Sequence, residues 1–96
     1  MQCMFYKAHA FDQPIGEWDV SSVKEMSFMF CKAKKFNQPL GSWNVSSVKN
    51  MRHMFDEAIS FYQPLNDWNV DPESVNTENM FLRTNYKNRC DMYLSR

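Results

Sequence analysis

Apolar positions along this chain follow two patterns that alternate. Val23, Met26, Met29, Phe30 and Ala33 recur at i, i+3, i+6, i+7 and i+10, the spacing of one face of a short helix. Ser21 and Ser22 stand directly before that run. A serine hydroxyl there is placed to accept a free backbone N–H at a helix start. Val48, Met51, Met54, Phe55 and Ala58, preceded by Ser46 and Ser47, repeat the arrangement. Upstream, residues 16–20 alternate, with Trp18 and Val20 on one side, which predicts a very short strand. Pro14 sits between; the residue before a proline avoids the α region, so residues 11–15 are expected to form an extended turn.

These elements recur every 25 residues. Phe11, Phe36 and Phe61 keep that spacing, as do Gln13, Gln38 and Gln63, the prolines Pro14, Pro39 and Pro64, and Trp18, Trp43 and Trp68. Residues 11–35 and 36–60 share 14 identities in 25. Met1, Met4, Phe5 and Ala8 stand 25 before Met26, Met29, Phe30 and Ala33, and Met80-Phe81 recovers the Met-Phe pair after one extra residue. A short strand, a turn and a short helix copied at this period predict an α/β solenoid of the leucine-rich-repeat kind, about three turns long. Adjacent turns would stack about 4.8 Å apart. Trp18, Trp43 and Trp68 would form an internal ladder, and the three glutamines a hydrogen-bonded one at least half buried, because an unpaired buried amide is costly. The solenoid is expected over residues 1–81 and a helical C-terminal cap over residues 82–96, with the closing helical stretch beginning near residue 74.

The run Phe36-Asn37-Gln38-Pro39-Leu40-Gly41-Ser42-Trp43-Asn44-Val45-Ser46-Ser47-Val48-Lys49-Asn50-Met51-Arg52-His53-Met54-Phe55 closely resembles the 25- to 26-residue repeat of bacterial surface proteins. That repeat occurs in mycoplasma-type domains of unknown function and in BspA-like proteins, distant relatives of leucine-rich repeats. The resemblance covers residues 1 to about 81. It implies a right-handed solenoid used for structure, adhesion or protein contact, and it implies no enzyme.

Composition narrows the function. Lys+Arg 11 and Asp+Glu 11 give a net charge of zero, so a nucleic-acid partner, which demands a basic excess, is not expected. Two glycines leave no phosphate-cradling loop. No apolar run is long enough to insert in a membrane, and residues 1–10 lack the charged start and aliphatic stretch of a signal peptide. An intracellular or virion setting is therefore expected, or a cell-surface one if the chain is a piece of a longer array. The metal-ligand types are Cys3, His9, Cys31, His53 and Cys90. Cys3 and His53 share a column two turns apart, about 10 Å, too far for one ion. Cys3 and Cys31 fall on neighbouring turns, where a disulfide is conceivable, but reduced, at least half-buried thiols fit better. Nothing orients a base toward a nucleophile. No cofactor, metal site or catalytic residue is expected.

What remains is surface. Met1, Met4 and Phe5 occupy core columns at the very start of the chain. Their end is a piece of a longer array, is closed by a partner such as a second copy, or frays. Alternation places Glu17, Asp19, Ser42, Asn44, Asp67 and Asn69 on the outer side of the strands, a polar, mildly acidic face. These nine residues are the candidate partner-binding set. The expected function is a non-enzymatic structural or protein–protein interaction module, for example an assembly component of a virus particle. The alternative is a fragment of a surface adhesin that binds host protein or glycan.

Overall fold

The computed structural model describes residues 1–65, 67–71 and 73–84. Its unit is a chain of tight turns. In the second repeat (residues 26–50), Met29 N–H donates to Met26 O, and Ala33 N–H donates to Phe30 O. The third residue of each turn, Phe28 and Lys32, has φ of 60° and 64°, while the second does not, which is the pattern of a type II turn. The same pair of turns occurs at residues 1–8 in the first repeat (residues 1–25) and at 51–58 in the third (51–76). In the fourth repeat, which starts at residue 77, Asn79 and Arg83 take the positive-φ places. Further turns at 8–11, 15–18 and 20–23 complete the first repeat, and their counterparts complete the second.

The short helices are therefore absent: no described residue is helical, and regular pairing is limited to the isolated parallel bridges Glu25–Asn50 and Asn50–Asn76. The α/β, right-handed leucine-rich-repeat-like solenoid of strand and helix is overturned, and the chain is a compact body 31 × 27 × 20 Å across. The reason lies in a shared spacing. Two consecutive four-residue turns with apolar first and fourth positions also give i, i+3, i+4, i+7. What separates them from a helix is the destination of the N–H groups. Phe28, Phe30 and Lys32 donate to Arg52, Met54 and Asp56 carbonyls of the next repeat, while the residues between them close turns. No N–H is left for an i−4 partner. Ser21 and Ser46 likewise start no helix: each donates through backbone and hydroxyl to the side-chain oxygen two residues back, on Asp19 and Asn44, an Asx-type turn.

The expected strand is absent for a related reason. Burial alternates as predicted, with Trp43 and Val45 buried and Ser42 and Asn44 exposed. The bonds between repeats there, however, come from side chains. Trp43 and Trp68 indole N–H groups donate to Ile15 and Leu40 carbonyls at 3.0 and 2.9 Å. Ser42 Oγ donates to Gly16 O. Asn37 N–H and Gln38 Nε2 both donate to Asp12 Oδ1, and Tyr62 N–H and Gln63 Nε2 both donate to Asn37 Oδ1. Two of the glutamines are thus half-buried and bonded as expected; Gln13 is exposed.

Stacking fills the interior. Phe5, Phe30, Phe55 and Phe81 form one column with centroids 5.4 Å apart at each step. Phe11, Phe36 and Phe61 form a second, and Trp43 stacks on Trp68 with planes 3° from parallel. Met26, Met29, Met51 and Met54 are fully buried between the columns. Trp18 stands apart from the Trp43–Trp68 pair and is 40% exposed. Between repeats one and two, a Cβ on Gly16 would lie 2.6 Å from Pro39 O, so glycine there is needed for close approach, since its φ is ordinary. At the C-terminal side, residues 73–84 hold turns and the Asn76 bridge, not the start of a helical cap, and the turn register persists through Arg83. The remainder of the expected cap, residues 85–96, lies outside the described residues.

Candidate functional site

The outer face of the first repeat is built like every other repeat but has no neighbour among the described residues. Trp43 and Trp68 are 4% and 1% exposed because a repeat covers each; Trp18, their counterpart, is not covered. Met4 is 52% exposed and Tyr6 41%, against 0% for Met29 and Met54. Met1, Phe5 and Phe11 are half-buried, with Phe5 stacked on Phe11 at 4.1 Å and tilted against Trp18 at 6.0 Å. The result is a small apolar platform of methionine and aromatic side chains.

The platform carries a fixed pattern of polar groups. The carbonyls of Gln2, Met4 and Tyr6 correspond to those of Ser27, Met29 and Cys31, which accept from Cys3, Phe5 and Lys7 N–H groups. The Asp12 N–H, Gln13 Nε2 and Trp18 Nε1 correspond to groups that donate to the preceding repeat at Asn37, Gln38 and Trp43. In the first repeat these six groups make no hydrogen bond with described residues. Acceptors therefore line one side of the face and donors the other.

Of the nine candidate residues, Met1, Met4 and Phe5 lie on this face. Glu17, Asp19, Ser42, Asn44, Asp67 and Asn69 are all exposed along the side of the stack. Asp19, Asn44 and Ser42 have local work there: the first two accept from Ser21 and Ser46, and Ser42 bridges to Gly16. The bonds from the Ser21 hydroxyl and N–H hold the Asp19 carboxyl below the usual carboxylate range. Phe11, Gln13 and Trp18, which complete the platform, are missed by a sequence reading that assigns every repeated column to the core.

A second cluster lies at the opposite end. Asp56 is 2% exposed, accepts from Arg83 Nε and Nη2 at 3.2 and 2.9 Å, and pairs with His53 Nδ1 at 2.9 Å. Burial pushes its carboxyl up, but the bonds from Arg83 and then His53 outweigh that, and its pKa is lowered. Cys31 occupies the Asp56 column one repeat earlier. Burial, and then the Asp56 charge, raise its thiol to about 11, the opposite of nucleophile activation. Cys3 is exposed and, like Cys31, not in a disulfide. Cys3, Phe28 and His53 share a column as the register predicts, with Phe28 and His53 rings stacked at 4.7 Å. Among the described residues no group of His, Cys, Asp and Glu converges to hold a metal, and no helix is long and apolar enough to cross a membrane.

The repeat and its register have a match among known families. A family model described as "Mycoplasma protein of unknown function, DUF285" matches residues 1–93. The chain belongs to this family. No curated protein and no solved structure matches the chain. The DUF285 match spans all four repeats, and so takes in both the open first face and the Asp56 cluster.

Proposed function

We propose that this DUF285 domain is a non-enzymatic protein-interaction module, of adaptor or assembly-component type, whose binding surface is the outer face of its first repeat. The observation that carries the reading is Trp18. It is the same residue as two others that are buried and hydrogen-bonded once a repeat covers them, yet it stands 40% exposed. Apolar area of this kind, joined to backbone groups with open valence, suits a polypeptide that supplies both burial and main-chain bonds. A partner docking there would take up the indole N–H, the Gln13 amide and the three carbonyls, so the polar groups add specificity to the apolar contact.

The test is selection of displayed random peptides on the folded domain, with parallel selection on Trp18→Glu and on Ser46→Glu, the latter on the exposed side of the stack. Peptides enriched by the wild type and by Ser46→Glu, but lost with Trp18→Glu, are the expected result. Enrichment indifferent to Trp18 overturns the reading.

A further inference from the structure

One corner of the turn ladder carries charged side chains where glycine would be least strained. Lys7, Lys32, Glu57 and Arg83 are the third residues of the second turn in their repeats, with φ between 57° and 64°. Their N–H groups tie the layers together: Lys7 donates to Cys31 O at 2.9 Å, Lys32 to Asp56 O at 2.7 Å and Glu57 to Leu82 O at 2.9 Å. The backbone of this column is thereby fixed, each residue one layer, about 4.8 Å, from the next. The turn that follows is closed in the second repeat by Phe36 N–H donating to Ala33 O, and it adds Lys34 and Lys35 beside the column. In the first repeat the same turn adds His9.

The acids at this corner are already engaged. Asp56 is buried and held by Arg83 at 2.9 Å. Glu57 uses both oxygens, Oε1 toward Lys34 at 3.8 Å and Oε2 toward Arg83 at 3.5 Å. Asp12, just beyond the corner in the first repeat, accepts through Oδ1 from Asn37 N–H and Gln38 Nε2. Lys7, Lys32 and Lys35, in contrast, make no ion pair with described residues. Lys7 and Lys35 are exposed and Lys32 is half-buried. Lys7 Nζ lies 5.3 Å from the centroid of the Tyr6 ring, a contact that steadies the ammonium and leaves its N–H donors open. Lys7, Lys32, Lys34, Lys35 and Arg83 together outnumber Asp56 and Glu57, in a chain whose net charge is zero.

We infer that this corner is a second docking surface, which takes a short acidic stretch of another polypeptide. The charge is complementary, and the lysines project from a backbone held by bonds between layers, so little order remains to be gained on binding. An extended segment presents carboxylates on one side about 6.7 Å apart, within reach of flexible lysine stems set on neighbouring layers. A long polyanion is disfavoured, because Glu17, Asp19, Asp67, Asp71 and Glu73 are exposed elsewhere on the stack and repel it. This surface is separate from the outer face of the first repeat and does not depend on Trp18.

The probe is a synthetic peptide of alternating glutamate and serine, titrated into the full-length protein by calorimetry; a glutamine–serine peptide is the neutral control. Two double variants make the same change in charge at exposed lysines: Lys7→Glu with Lys35→Glu at the corner, and Lys24→Glu with Lys49→Glu away from it. The acidic peptide is expected to bind wild type, the Lys24/Lys49 variant and Trp18→Ala alike, and the Lys7/Lys35 variant at least about tenfold more weakly. Affinity should fall as salt rises, and the neutral peptide should not bind. Absence of binding, equal weakening in the two double variants, or loss with Trp18→Ala overturns the inference. Oligodeoxythymidine and vesicles of phosphatidylserine and phosphatidylcholine are titrated in parallel. Equal or tighter binding of either through Lys7 and Lys35 overturns the assignment to a polypeptide.

Discussion

Single residues here take their environment from their layer rather than from their type. Trp18, Trp43 and Trp68 are the same side chain at the same repeat position, yet their exposures are 40%, 4% and 1%. Trp43→Ala removes a buried ring and an indole bond to Ile15 O, and is expected to cost about 3–5 kcal/mol. Trp18→Ala is expected to cost about 1 kcal/mol or less. Denaturant titration of both variants checks the contrast; equal losses would mean that Trp18 is covered in solution. Asp56 provides the pH-dependent counterpart. Its folded pKa is depressed, so its contribution is present above the unfolded value of about 4 and fades as pH falls through the folded one. Stability of the wild type should therefore drop in acid. Asp56→Asn should start about 1–3 kcal/mol lower and show a flatter acid limb in thermal melts at a series of pH values.

At the level of the element, the tight turn carries the architecture, and it is made without glycine. Among the described residues, eight that are not glycine adopt φ between 56° and 64°, a region that side chains ordinarily avoid. The bonds between repeats hold them there: Lys32 N–H, for instance, donates to Asp56 O at 2.7 Å. Lys32→Gly relieves the steric cost while keeping that bond, and should gain up to about 1 kcal/mol, seen as a melting temperature a few degrees higher. A fall would show that the lysine side chain contributes more than the turn gains. Glycine matters instead where repeats approach. Gly16→Ala drives a Cβ into Pro39 O, whereas Gly41→Ala meets Pro64 O at an ordinary 3.5 Å. The first should destabilise by about 1–3 kcal/mol and the second should be nearly neutral, again by denaturant titration.

The described residues form a short stack of turns whose stability is shared by neighbours. Such stacks are least protected where a layer has one neighbour. Amide hydrogen exchange should be slowest at Phe30 and Phe55, whose N–H groups bond to the next repeat inside the core. It should be fastest in residues 11–25, and a bound partner on the first repeat should slow that segment selectively. Uniform protection without a partner would contradict the picture of an open end.

The sequence by itself determined the period, the columns and the family. A copied Phe, Gln, Pro or Trp stacks on its own image, because identical layers bury identical faces; the Phe30–Phe55 and Trp43–Trp68 contacts were legible for that reason. It also determined the side-chain alternation at residues 42–45, since inward and outward positions differ in polarity. Tertiary structure alone decided what the backbone does between the columns. Met26, Met29, Phe30 and Ala33 satisfy a helix and a pair of type II turns equally well. The choice fell to turns because the N–H groups of Phe28, Phe30 and Lys32 find carbonyls in the next repeat, partners that no local pattern records. Exposure of Trp18 was decided in the same way, by which layer has a neighbour.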